Sequence, residues 1–197
     1  MKIVVLIILI GLLLSCRNSV KKSNADESVQ VSANTEQTHD LDNLKINGDL
    51  VELPFFEIEL ELTETAEKKL MDDNESVIVI AYFRSDLDDI DTIPEEYKDR
   101  LVRYTITLLT QKIELTDTRS ARFENLEFPK HLYDLLEDKD IDVLINVVSG
   151  RKSTDVNMLY CAILSGPISK IKEQKFTLNG GLIGERIKTN SIIYRRK

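Results

Sequence analysis

The chain has 197 residues, with 34 Asp and Glu against 26 Lys and Arg, a formal net charge of −8 and 42% hydrophobic residues. So acidic a chain is a poor match for nucleic acid, or for an anionic membrane surface, through its body. Its two cysteines, Cys16 and Cys161, provide no disulfide framework, and the length fits one domain plus a tail.

The first predicted element is a leader. Lys2 is followed by an unbroken apolar run, Ile3 to Leu14, then Ser15 and Cys16. A charged start before about a dozen apolar residues has the layout of an export signal. As a helix the run would reach about 18 Å, short of the roughly 30 Å hydrocarbon core, which argues against an uncleaved membrane anchor. Leu13-Leu14-Ser15-Cys16 resembles the lipobox of bacterial lipoproteins: an aliphatic residue, a variable one, a small one, then cysteine. Leu14 stands where a small residue is more usual. The resemblance implies that residues 1–15 are a signal peptide cleaved before Cys16. It also implies that Cys16 carries a diacylglycerol on its thiol and a further acyl chain, such as palmitate, on its new amino group. Several chains anchor stably, at about 0.8 kcal/mol per buried methylene. Arg17, rather than Asp, follows the cysteine, which by the sorting pattern of such lipoproteins implies the outer membrane, on either face. Loss of residues 1–15 removes Lys2 and no acid, so the mature charge is −9.

Residues 16–49 read as a disordered tether. They are rich in Ser, Asn, Lys, Asp, Glu, Gln and Thr, and their apolar residues (Val20, Val29, Val31, Leu41, Leu44) are scattered. Such a segment buries too little to offset chain entropy. As a coil its ends would lie about 30 Å apart. Lys21 and Lys22 sit near the anchor and read as solvated charge. His39 has no Cys or second His nearby and marks no metal site.

The domain is expected over 50–197. Phe56, Ile58, Leu60 and Leu62 alternate with Glu57, Glu59 and Glu61, which predicts a half-buried strand with a carboxylate row facing water. Thr65 to Asp73 predicts a helical turn, and Val77 to Phe83 a central strand. Residues 85–99 form an acidic loop. Asp86, Asp88, Asp89 and Asp91 invite a calcium reading, but an EF-hand fails. Ile90 holds the third ligand position and Asp91 the glycine position. Only an irregular calcium site is left open.

Further strands are expected at Leu101 to Leu109, with Val102, Tyr104, Ile106 and Leu108 on one face, and at Ala121 to Leu126. Lys112 to Leu115 continues the first or begins another. Pro129 opens a helix over 130–138. His131 lies on it with no partner acid in evidence and reads as a surface residue. Ile141 to Val148 predicts a strand, with Ser149-Gly150-Arg151-Lys152 as the turn to a partner over 156–164. That partner is apolar on both faces, so Cys161 reads as a buried, inert thiol. Gly166-Pro167 is expected to break it. Asn179-Gly180-Gly181 predicts a hairpin turn between Lys175–Leu178 and Leu182–Ile187. Ser191 to Tyr194 adds an edge strand, followed by the basic Arg195-Arg196-Lys197.

The pattern indicates a mainly β fold, an antiparallel β-sandwich of about 7–8 strands with one or two short helices. Residues 55–83 run strand, Thr63-Glu64-Thr65-Ala66, an acidic turn (Asp72-Asp73-Asn74), then strand. This order resembles the start of the outer-membrane lipoprotein of type VI secretion systems, with Ser76-Val77 where that family has Pro-Val. The resemblance implies a small sandwich that anchors an inner-membrane complex.

No G-x-S-x-G elbow, H-E-x-x-H, paired Cys-x-x-Cys or P-loop is present. No catalytic residue, cofactor or metal ligand is assigned. Cys16 is the one assigned site residue. The expectation is a non-enzymatic lipoprotein of the cell envelope whose sandwich binds or positions another envelope protein, in a secretion or envelope assembly. A small-ligand-binding or toxin-neutralising lipoprotein is the alternative. An enzyme would need two carboxylates in a cleft, or His131 beside an acid.

Overall fold

The structure, a computed structural model, describes residues 44–195; the leader, Cys16, Lys21, Lys22 and His39 lie outside the described residues. In chain order the strands are β1 Lys45–Asn47, β2 Leu50–Leu53, β3 Phe56–Leu62, β4 Val77–Asp86, β5 Leu101–Val102, β6 Thr105–Leu115, β7 Ser120–Phe123, β8 Leu126–Pro129, β9 Asp142–Ser149, β10 Leu159–Cys161, β11 Leu164–Pro167, β12 Lys175–Leu182 and β13 Ile192–Ile193. The helices are α1 Glu64–Asp72, α2 Lys130–Asp134 and α3 Ile168–Ile171, with two short 3₁₀ turns in the acidic loop.

The fold is mainly β, as the strand periodicity predicts. A four-stranded sheet, β10-β12-β3-β7, packs on a six-stranded one, β13-β11-β9-β4-β6-β5. Pairings are antiparallel except β3 with β12 and β11 with β13. The alternation explains the packing. Phe56, Ile58 and Leu60 of β3 point inward, and Val77, Val79, Ala81 and Phe83 of β4 meet them in one core. The Phe56 ring lies 4.9 Å from Phe123 and 6.2 Å from Phe83, tying the two layers. Each such buried ring stabilises the fold by about 1.5–3 kcal/mol.

A third sheet, β1-β2-β8, continues the four-stranded one as a bent ribbon. Leu53 faces Leu126 and Phe56 faces Phe123, so the register runs unbroken through the bend. Pro54-Phe55 turns one strand, and Asn125, at φ +54°, turns the other. Pro lacks the N–H that a straight ladder would use there, and Asn tolerates the left-handed region. The body thus starts earlier than the predicted 50. β1 pairs with β2 around Gly48, at φ +61°, but all three of its residues are exposed, so no apolar period announces it.

Four local expectations change. Leu101 to Leu109 is a hairpin rather than one strand, because Arg103 takes φ +59°; Val102 and Tyr104 are accordingly exposed. The helix after Pro129 stops at Asp134, where the Lys139 ammonium turns back onto the carbonyls of Tyr133, Asp134 and Leu136 at 3.0, 2.7 and 3.1 Å. The apolar run 156–164 is not one strand beside β9. It crosses between sheets: β10 pairs with β12, and β11, including Gly166-Pro167, pairs with β9. It is apolar on both faces because its two ends serve opposite layers.

Finally, Asn179-Gly180-Gly181 is no turn. β12 runs straight through it, central between β3 and β10. A Cβ on Gly180 would overlap Cys161 Sγ, and one on Gly181 would come within 2.6 Å of Glu185 Oε2. The glycines permit close approach within a strand rather than a reversal.

After β12 the chain folds back and closes one side of the sandwich. Asn190 accepts from Asn179 N–H (3.1 Å), donates its own N–H to the Asn179 side chain (2.8 Å) and its amide to the Thr177 carbonyl (3.0 Å). Ser191 Oγ accepts from Ile163 N–H where the chain crosses between sheets, and β13 then pairs with β11, the edge strand predicted there.

Candidate functional site

A concavity lies beside α1. Thr63 caps this helix, its hydroxyl accepting from Ala66 N–H at 3.2 Å, and Glu64 and Glu67 complement the dipole in its first turn. Ala66 and Leu70 are buried, and Asn74, at φ +53°, ends the turn. Glu67 then forks onto Arg119, at 2.9 Å from Nε and 2.7 Å from Nη2, fixing the helix to the loop between β6 and β7.

Next to the helix end stands Glu75, 7% exposed. Its carboxylate accepts from Ser76 N–H (3.0 Å), Lys152 N–H (2.9 Å), Ser153 N–H (2.9 Å) and Ser153 Oγ (2.9 Å). Arg151 takes φ +59°, which converges the next two N–H groups into a concave cradle. Gly150 is required beside it, since a Cβ there would overlap Ser76 Oγ. Burial pushes the Glu75 carboxyl up, but the four donors outweigh it and hold the group below the usual range. Ser76 Oγ donates to Glu114 at 2.6 Å, and Lys152 Nζ reaches Glu114 at 2.7 Å. The Lys152 ammonium, then the Ser76 hydroxyl, lower Glu114 as well.

Together these groups bound a cleft of about 780 Å³ lined by Leu62, Leu70, Met71, Glu67, Arg119 and Lys152 among others. Met71 is 75% exposed at its lip. Apolar lining with a charged rim is a geometry for holding a ligand or partner segment. Glu67, Glu75 and Glu114 are each engaged in hydrogen bonds within the protein.

The residues singled out by sequence fall elsewhere. Cys16 lies outside the described residues. In the acidic loop, Asp89 caps a 3₁₀ turn through Asp91 N–H (2.9 Å), and Asp86 accepts from Thr105 Oγ1 (2.7 Å). Among the described residues no group of three or more His, Cys, Asp or Glu is arranged to hold a metal ion. Two of the β3 glutamates have partners: Glu57 accepts from Ser120 Oγ at 2.8 Å, and Lys175 reaches Glu59 at 2.9 Å. The Ser120 hydroxyl, against a partial opposing effect of burial, holds Glu57 below its ordinary range, with Lys175 and Arg122 assisting. His131 is exposed, its ring 5.5 Å from Tyr97. Cys161 is a free, buried thiol that burial pushes up to about 12.

Sequence reasoning found the Gly150-Arg151-Lys152 turn but missed the carboxylate that seats it. Glu75 reaches Lys152 across 77 positions, and no local spacing marks such a pair.

No protein-family model, no curated protein and no solved structure matches the chain.

Proposed function

We propose that this protein is a lipoprotein of the bacterial cell envelope, anchored at the outer membrane by lipid on Cys16, whose β-sandwich binds or positions another envelope protein. The observation that carries the reading is the leader: Lys2, the apolar run to Leu14, and Leu13-Leu14-Ser15-Cys16, followed by a polar stretch of tether composition. The rimmed cleft beside α1 supplies a surface suited to a partner. A secretion complex is the narrower form of the proposal. It rests on the resemblance of residues 55–83, which form β3, α1 and the start of β4, to the outer-membrane lipoprotein of type VI secretion systems.

The test is Cys16→Ser in the producing cell. Cleavage and labelling by a palmitate analogue are expected to stop. Continued labelling of the variant would refute the anchor. Envelope proteins cross-linked to the parent chain identify the partner, and secretion-complex components among them would support the narrower form.

A small-ligand reading has one observation in its favour: the cleft falls within the roughly 300–1,000 Å³ range of ligand sites. A compound retained through purification and released on denaturation, seen by mass spectrometry, would select it over the protein-partner reading.

A further inference from the structure

The two sides of the sandwich are finished differently. One is laced by the segment around Asn190 and by β13. On the other, β6 is a long edge. β5 covers only Thr105 and Ile106, and among the described residues no strand pairs with the far edge of β6 from Thr107 to Leu115. Exposed edges of this length are templates for another strand, and proteins usually blunt them with charge, proline or short length. Between Leu109 and Ile113 the only charge is Lys112.

The direction of the free groups follows from the ladder. The Tyr104 carbonyl accepts from Leu87 N–H at 3.0 Å, so Tyr104 and Ile106 bond towards β4, and Thr105 and Thr107 away from it. Leu108 is an extra residue: Phe83 faces Leu109 and Arg84 faces Thr107. This bulge resets the alternation. Beyond it Gln111 and Ile113 bond towards β4, while Thr110, Lys112 and Glu114 turn their N–H and C=O groups outward. Among the described residues the Lys112 carbonyl has the Gln111 side-chain amide, at 3.4 Å, a long contact that a strand would replace. Leu109, Gln111 and Ile113, opposite Phe83, Ala81 and Val79, face the core layer and are only half-buried.

We infer that this edge pairs antiparallel with the same edge of a second copy, about a two-fold axis at Gln111. The segment is its own complement. Leu109-Thr110-Gln111-Lys112-Ile113 reads apolar, polar, polar, polar, apolar in either direction. Centred on Gln111, Leu109 of each copy meets Ile113 of the other on the core-facing side, completing the burial of both. Thr110 meets Lys112, and their outward groups form the new ladder. Arg100, whose guanidinium sits on the Leu108 carbonyl at 3.4 Å, comes beside Glu114 of the second copy at each end, so opposite charges meet twice. A slip of one residue would set core-facing side chains against solvent-facing ones. The contact is isologous and closes at two copies. It does not depend on lipidation of Cys16.

The experiment is site-directed disulfide formation in the full chain, in membranes of producing cells treated with a mild oxidant. The parent, with its own Cys16 and Cys161, is the reference. Gln111→Cys places two thiols across the axis in a non-hydrogen-bonded pair, within reach of a disulfide. A dimer absent from the parent is expected. Thr107→Cys places its thiols roughly 25 Å apart at about 3.3 Å per residue and is expected to stay monomeric. Adding Lys112→Pro to Gln111→Cys removes an outward N–H while sparing the bonds to β4, and is expected to abolish the dimer without loss of the folded protein. No dimer from Gln111→Cys, equal cross-linking from Thr107→Cys, or a dimer that survives Lys112→Pro would each overturn the inference. The first outcome is also the one expected if a different extended peptide occupies the edge.

Discussion

Glu75 shows how one charge can organise a surface that no motif announces. A buried carboxylate with four donors is worth more than its parts, because without them its charge would be desolvated and unpaired. Glu75→Gln keeps the shape but replaces one acceptor oxygen with a donor. It is expected to cost about 1.5–3 kcal/mol, seen as a lower melting temperature of the domain. The pH dependence follows from the direction of the shift. The folded-state value lies below the unfolded one, so the stabilisation is complete above the ordinary value of 4.5 and is lost as pH falls below it, through the folded-state value. The gap in melting temperature between parent and Glu75→Gln should therefore close as pH drops from neutral into that acid window. A gap that stays constant would show that Glu75 acts by packing alone. Cys161, by contrast, was legible at this scale, since an apolar β run around a lone cysteine already implies burial.

At the scale of elements, the strands with a clean period of two were readable. β3 and β9 bury alternate residues against the opposite layer, whereas β4, read from its apolar β-branched run, also buries Ile80 between Val79 and Ala81. What misled was turn chemistry. Arg103 makes a reversal without Gly or Asn, whereas Gly180-Gly181 makes none. The reason is tertiary: the glycine pair answers to the Cys161 thiol and the Glu185 carboxylate, which a local window does not see. Gly180→Ala is expected to destabilise the domain by about 1–3 kcal/mol through overpacking. Adding Cys161→Ala should recover part of that loss, because it removes the sulfur that the new methyl meets, while Leu62 stays 3.0 Å away. Calorimetry of the four chains of the cycle measures it. A fully additive result would show that the new methyl does not meet the Cys161 sulfur.

At the scale of the whole molecule, composition and strand patterning gave the mainly β fold, although the described residues form thirteen strands, with two parallel pairings, rather than the about 7–8 antiparallel ones expected. The order of strands was not legible, because β3 takes as neighbours β7 and β12, both remote in sequence. The boundary of the body was placed a few residues late for the same reason, since β1 is recognisable only by its pairing with β2. Deleting residues 20–40 is expected to leave the melting temperature unchanged. Extending the deletion through Asn47 removes β1 and should lower it. A loss from the shorter deletion would show that the polar stretch packs on the domain.

The central place of β12 has a consequence for how the chain comes to be folded. β3 is made more than a hundred residues before its parallel neighbour, Lys175–Leu182. Until then one edge of β3 lies open and the four-stranded sheet cannot close. Pairing at such sequence separation is slow, since the loop must be closed before any contact repays it. Aggregation-prone strand edges of this kind stay open in a nascent polypeptide until the remote partner strand is made. A chain that closes late is also one that can be threaded, still extended, through a narrow passage.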